Sequence, residues 1–111
     1  MATTVAVREE YARLLEPLGN LEEAVETALR RYAIERIVEK IAELRRRERK
    51  WQAKYGCDYD TFVRRTASDE EFVCHIEQTI SKTWELDLAE WEFCHHGVRD
   101  WSQHLQTLLL E

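Results

Sequence analysis

The side chains best suited to metal or redox chemistry are three cysteines and four histidines, all in the second half of the chain. Five of these seven residues form two short clusters, Cys74-His75 and Cys94-His95-His96, whereas Cys57 and His104 stand apart. A structural zinc site needs four such ligands converging in a tetrahedron. Adjacent residues on a helix point about 100° apart, so one helix rarely offers two neighbours to one ion. The sequence therefore predicts no metal and no cofactor. Three cysteines are an odd number and have no CxxC spacing, so no disulfide framework is expected, and the protein is predicted to be cytoplasmic with reduced thiols.

Groups that could catalyse a reaction are equally scattered. Ser102 and His104 are two residues apart, which on a helix places them on different faces. The chain has 22 Asp and Glu residues, but none of them is paired near a Gly-rich or otherwise strained loop. The sequence therefore predicts that this protein is not an enzyme.

The composition indicates which kind of fold must position the cysteine, histidine and acidic side chains. The chain has 111 residues, of which 44% are apolar, and it contains only 3 Gly and 1 Pro. So few turn residues leave little room for loops, which favours a mainly α-helical fold in one domain or a small domain with an arm. The longest apolar run is Leu108–Leu110, far too short to span a membrane.

The N-terminal residues show two different periodicities. Residues 3–7 alternate Thr, Thr, Val, Ala, Val, which predicts a short strand with Val5 and Val7 on one face. A small amphipathic helix follows, and Pro17 and Gly19 are expected to end it. Nothing in the following residues reads as a second strand, so the partner of the first is expected to lie in another chain.

A long central helix is predicted next. Asn20 is a suitable N-cap, the helix pattern runs from Leu21 to Tyr55, and Gly56 suits the position after the helix. An apolar stripe runs along one side of this helix and is interrupted at Glu48. Thirty-five residues would span roughly 52 Å, so the far end needs returning helices or another chain.

The second half supplies three returning helices. The patterns predict helices at residues 58–66, after a capping box at Ser68-Asp-Glu-Glu71, and at residues 83–110. The last helix carries three tryptophans near one stripe: Trp84, Trp91 and Trp101. These tryptophans either pack against the central helix or are exposed and bind a partner protein.

The first 45 residues resemble the ribbon-helix-helix family. The resemblance is carried by the alternating strand, the short helix, the Gly19-Asn20 turn and the LEEAVETALRRY opening of the second helix. In that family the strand pairs with the same strand of a second subunit, and the two-stranded ribbon enters the DNA major groove. The resemblance implies a dimerisation and DNA-binding domain at 1–45 and a helical arm at 46–111. The implied dimer core comprises Val5, Val7, Leu14, Val25 and Leu29.

The same resemblance implies a DNA site. Thr4 and Ala6 would face the groove, Arg8 would reach a phosphate, and the backbone at Gly19 and Asn20 would anchor another. This sequence departs from the family pattern because the strand has no long basic or amide side chain and four glutamates lie nearby. The alternative is that the ribbon only joins two subunits.

The charge distribution suggests a second partner. Residues 1–50 carry 11 Lys and Arg against 10 Asp and Glu, whereas residues 51–111 carry 5 against 12. With its YGCDY stretch and spaced tryptophans, the chain also resembles small bacterial and archaeal antitoxin-like proteins. An antitoxin-type regulator would bind operator DNA as a homodimer, or a tetramer, and hold a basic toxin through its acidic half. The alternative is a helical dimeric interaction or structural protein that binds no nucleic acid.

One basic run, Arg45-Arg-Arg-Glu-Arg-Lys50, stands out from this acidic background. It could bind nucleic acid or an acidic partner. It could also be a solvated face favoured by the helix dipole, or pair with the acidic C-terminal segment.

Overall fold

The computed structural model describes residues 2–111, and most of them are helical. Within that range the elements are α1 (Glu9–Leu15), a 3₁₀ helix (Glu16–Leu18), α2 (Leu21–Tyr55), α3 (Tyr59–Ser68), α4 (Glu70–Thr79) and α5 (Trp84–Leu110). The prediction of a mainly α fold with a long central helix and C-terminal helices is confirmed.

The predicted N-terminal strand is wrong. Residues 2–8 form neither helix nor strand, and no strand occurs anywhere in residues 2–111. A strand exists through hydrogen bonds to a neighbouring strand, and every other regular element of the described chain is a helix. The ribbon-helix-helix fold class, which depends on that strand, is therefore overturned for this structure.

The ends of α2 follow local signals in the sequence. The Asn20 side-chain oxygen accepts a hydrogen bond from the backbone N–H of Glu23 at 3.1 Å. At the other end, Gly56 adopts a left-handed backbone with φ of 72°, a conformation that glycine reaches without steric cost. Both predicted ends of the helix are confirmed.

Aspartate side chains begin the two short helices. Asp58 caps α3, and the carboxylate of Asp69 accepts from the backbone N–H of Phe72 at 3.1 Å to cap α4. The predicted cap at Ser68 is wrong, because its hydroxyl donates to the Arg64 carbonyl at 2.8 Å within the last turn of α3. A carboxylate one residue later takes the capping position instead.

The chain divides within α2 into two compact units: an N-terminal unit that ends at Glu35 and a C-terminal unit, Arg36–Glu111. The predicted boundary lay at residue 45. No residue from 2 to 35 is buried, so the described N-terminal unit has no core of its own.

The C-terminal unit has an aromatic core. Trp91 and Phe62 are fully buried, and their ring centres lie 5.3 Å apart. The central cluster comprises Trp51, Tyr55, Phe62, Ile76 and Trp91. Towards the C-terminal half of α5, a Cβ built on Gly97 would lie 2.8 Å from a methyl carbon of Leu44, so α5 approaches α2 closely at this glycine.

Candidate interaction surfaces

A half-buried carboxylate joins α2 to α5 in the C-terminal unit. Glu48 Oε2 accepts a hydrogen bond from Trp91 Nε1 at 3.2 Å and lies 2.7 Å from His95 Nδ1. Tyr59 of α3 stacks on the His95 ring with 4.3 Å between ring centres. Glu48 therefore belongs to the core-facing stripe, where it accepts from the indole N–H of the fully buried Trp91, a donor that the aromatic core would otherwise leave unpaired.

A second polar cluster lies one to two turns further along α2. Asp87 Oδ2 accepts from Lys54 Nζ at 2.7 Å and from the Tyr55 hydroxyl at 2.5 Å. Burial alone would raise the pKa of Asp87, but the hydrogen bonds from Lys54 and Tyr55 outweigh it and lower that pKa below 3.8. Burial and the Asp87 hydrogen bond raise the pKa of Tyr55, so its hydroxyl stays protonated.

Asp87→Asn is expected to lower the free energy of unfolding at pH 7 by about 1–2 kcal/mol, because a partly exposed charged hydrogen bond is lost. The folded pKa is depressed, so this contribution is complete above the unfolded value near 4 and is lost as pH falls through the folded pKa. Urea unfolding at about pH 7 and pH 3 should show that the difference in free energy of unfolding between wild type and Asp87→Asn shrinks at low pH.

Asp100→Asn, which removes a carboxylate from an exposed ion pair, is the control. If Asp87→Asn lowers the free energy of unfolding equally at both pH values, the hydrogen-bonded Asp87 carboxylate is not the source of the stability.

The cysteines and histidines do not converge. No group of three or more His, Cys, Asp or Glu residues in the described chain is placed to hold a metal ion. Burial raises the pKa of the Cys57 and Cys94 thiols, which disfavours the reactive thiolate.

The N-terminal unit presents an uncovered apolar surface. Its seven large, exposed apolar residues, here called the N-terminal apolar surface, are Val5, Val7, Tyr11, Leu14, Leu18, Leu29 and Tyr32. Between the 3₁₀ helix and α2 lies an open groove of about 600 Å³ whose lining includes Leu15, Leu18 and Tyr32. Exposed apolar area of this extent, in a unit without a core, is typical of a surface that another polypeptide covers.

The residues of the predicted dimer core lie in this unit. Val5, Leu14 and Leu29 are 79%, 69% and 63% exposed, Val7 is also exposed, and Val25 is half-buried. In the described single chain they do not form a closed core. Their burial in a dimer stays a prediction.

The residues predicted to contact DNA are exposed but not assembled into a reading surface. Thr4 and Ala6 lie in the segment without regular structure. Arg8 already forms an ion pair with Glu10. Gly19 follows the 3₁₀ helix with φ of 147°, and Asn20 is occupied as the cap of α2, so DNA contact by these residues stays a prediction.

The three predicted partner-binding tryptophans have different surroundings. Trp91 is fully buried, and the half-buried Trp84 packs against the core and donates to Glu77 at 3.1 Å. Trp101 is 37% exposed. It lines a shallow groove of about 430 Å³ between α2 and α5, together with Phe93, which is 61% exposed, and with the charged residues Lys40, Glu92 and Asp100. We call it the α5 groove.

The two units share the negative charge equally. The first 35 residues carry 4 Lys and Arg against 7 Asp and Glu, and residues 36–111 carry 12 against 15, a net of −3 in each. The basic run at residues 45–50 lies in the C-terminal unit. The N-terminal unit, with a net charge of −3 and no such run, lacks the positive field that non-specific DNA binding requires.

No protein-family model, curated protein or solved structure matches this chain. Among residues 2–111, no helix combines the length and the apolar character needed to cross a membrane.

Proposed function

We propose that this protein is a homodimeric helical binding protein. Its N-terminal unit would join two copies, and the α5 groove would receive a basic protein partner. The observation that carries the proposal is the N-terminal unit itself, which buries no residue from 2 to 35 while exposing seven large apolar side chains. Covering this surface with a second copy removes it from water, the main favourable term in association.

A second copy suits this surface because a two-fold interface joins the same patch on both copies. Along the N-terminal part of α2, Val25, Leu29 and Tyr32 recur at spacings of four and three residues, so they share one face of the helix. Leu29 and Tyr32 on that face are exposed. Two copies packed face to face would cover these apolar side chains with one another.

A substitution on the apolar face tests the dimer. Tyr32→Glu should raise the dimer Kd by about tenfold or more, because it places a carboxylate on the face that the second copy covers. Glu23→Gln, at an exposed position on the opposite side of the same helix, is the control and should leave the Kd near that of wild type. Sedimentation equilibrium over a range of concentrations measures this, and a wild-type chain that stays monomeric throughout would end the proposal.

A second candidate function is antitoxin-type regulation in the cytoplasm. It is favoured by the sequence resemblance of the chain and by the α5 groove, whose lining contains Phe93 and Trp101 with Glu92 and Asp100, two acidic residues against the one cation Lys40. The Arg47 guanidinium lies 5.7 Å from the centre of the Phe93 ring and shows that this ring accepts a cation. Aromatic anchors with flanking negative charge suit a basic protein such as a toxin. Since residues 2–8 form no strand, this candidate rests on the α5 groove as a protein-binding surface and not on a two-stranded DNA-binding ribbon.

Two measurements separate the candidates. An antitoxin-type protein should bind the purified product of a neighbouring gene for a small basic protein, and Trp101→Ala should weaken that binding. Binding to DNA from upstream of its own gene, measured across a salt series, tests the regulatory half. A dimer that binds neither would leave the interaction protein as the remaining candidate.

A further inference from the structure

The solvent-facing side of α2 carries positive side chains that neither the core nor the proposed dimer uses. Arg45, Arg46 and Arg49, here called the arginine face, are all exposed. Lys50 lies beside them, with its Nζ 4.6 Å from the centre of the Trp51 ring. On the opposite side of the same turns, Leu44 and Trp51 are buried, so the core holds this part of the helix in place.

The arginine face differs from neighbouring cations on the same helix. Four of those have carboxylate partners: Arg36 with Glu39, Lys40 with Glu43, Arg47 with Glu90 and Lys54 with Asp87. Within residues 2–111, no ion pair or hydrogen bond engages the three guanidinium groups of the arginine face. Their charge is available to a ligand.

Helix electrostatics do not explain these arginines. Arg45 and Arg49, like Arg46 and Lys50, are like-charged pairs four residues apart, an arrangement that destabilises a helix. The helix dipole favours cations only within the last turn. Because α2 ends at Tyr55, Arg45 and Arg46 lie more than two turns before its end, at about 3.6 residues per turn.

The surroundings of the arginine face suit phosphate better than protein. A protein interface needs an apolar centre, but the exposed positions between Ala42 and Lys50 include no large apolar side chain. Phosphate contacts need only positive charge and hydrogen-bond donors, and the planar guanidinium fork matches two phosphate oxygens.

We propose that the arginine face binds the phosphate backbone of a double-stranded nucleic acid without reading its sequence. Three guanidinium groups within about one turn of a helix are close enough together to contact neighbouring phosphates. The proposal does not depend on the N-terminal dimer, because all three arginines belong to the C-terminal unit.

The test measures fluorescence anisotropy of a labelled DNA duplex of random sequence with the full chain. Three phosphate contacts give a slope of about −2.7 in log K against log salt, so raising salt from about 50 to 200 mM should weaken binding about 40-fold. The triple variant Arg45→Gln, Arg46→Gln, Arg49→Gln should lose both the binding and the slope. Its circular dichroism melt should be no lower than that of wild type, because two like-charged pairs are removed.

The matched control is Arg36→Gln, Lys40→Gln, Arg99→Gln, which removes the same charge from exposed positions that have carboxylate partners. It should keep most of the wild-type affinity. The proposal fails if the wild-type chain does not bind at about 50 mM salt, or if both triple variants lose affinity equally. It also fails if poly-glutamate displaces the duplex at equal charge concentration, since the face would then recognise negative charge and not phosphate.

Discussion

Trp91→Ala is expected to destabilise the C-terminal unit by about 3–5 kcal/mol, the range for removing a fully buried tryptophan. Trp91 is 0% exposed and lies among three other aromatic rings, with ring centres 5.3 Å from Phe62, 5.8 Å from Tyr59 and 6.3 Å from Tyr55. The alanine would leave a cavity between α2, α3 and α5, and three separate helices cannot all move inward to fill it.

The same substitution also breaks a polar contact. Trp91 Nε1 donates to Glu48, and the half-buried carboxylate would keep only His95 as a partner, which adds to the loss. A change of this size corresponds to a fall in Tm of more than about 12 °C for a unit of this length. Thermal unfolding followed by near-ultraviolet circular dichroism measures it.

Trp101→Ala is the matched control, because it removes the same side chain from the same helix at a position that is 37% exposed. It should cost clearly less than Trp91→Ala. Equal losses at the two positions would mean that the aromatic core does not centre on Trp91.

The helix limits could be predicted where the signal is local. Asn20 and Gly56 mark the ends of α2 because a cap and a left-handed turn depend on a few adjacent residues. At Ser68 and Asp69 two neighbouring oxygens compete for one capping position, and the sequence alone did not separate them. The strand at residues 3–7 could not be decided from alternation, since a strand also needs a distant partner.

The candidate surfaces were harder to predict for a related reason. Periodicity placed Trp84, Trp91 and Trp101 near one stripe, but it carries no information on which part of the stripe another element covers. Glu48 looked like an interruption of the apolar stripe. The signal that could have revealed its role is the pair of donors Trp91 and His95, four residues apart on the facing helix.

Leu29→Asp is expected to convert the proposed dimer into a monomer, raising its Kd by more than about 100-fold. In a single chain the substitution should be nearly neutral, because Leu29 is 63% exposed and exposed positions tolerate change within about 0.5 kcal/mol. In the dimer each copy would bury an unpaired carboxylate, which costs about 3–5 kcal/mol. A factor of 100 in Kd requires only about 2.7 kcal/mol.

Leu86→Asp provides the control, since Leu86 is 72% exposed and lies in the first turn of α5, where the helix dipole tolerates a carboxylate. Sedimentation equilibrium should find Leu86→Asp dimeric and Leu29→Asp monomeric at the same micromolar concentration, with similar helical content by circular dichroism. Both variants exchange an exposed leucine for the same acid. A difference in their oligomeric state would therefore mean that a second copy covers the N-terminal apolar surface. If both stay dimeric, that surface is not the one that joins the copies.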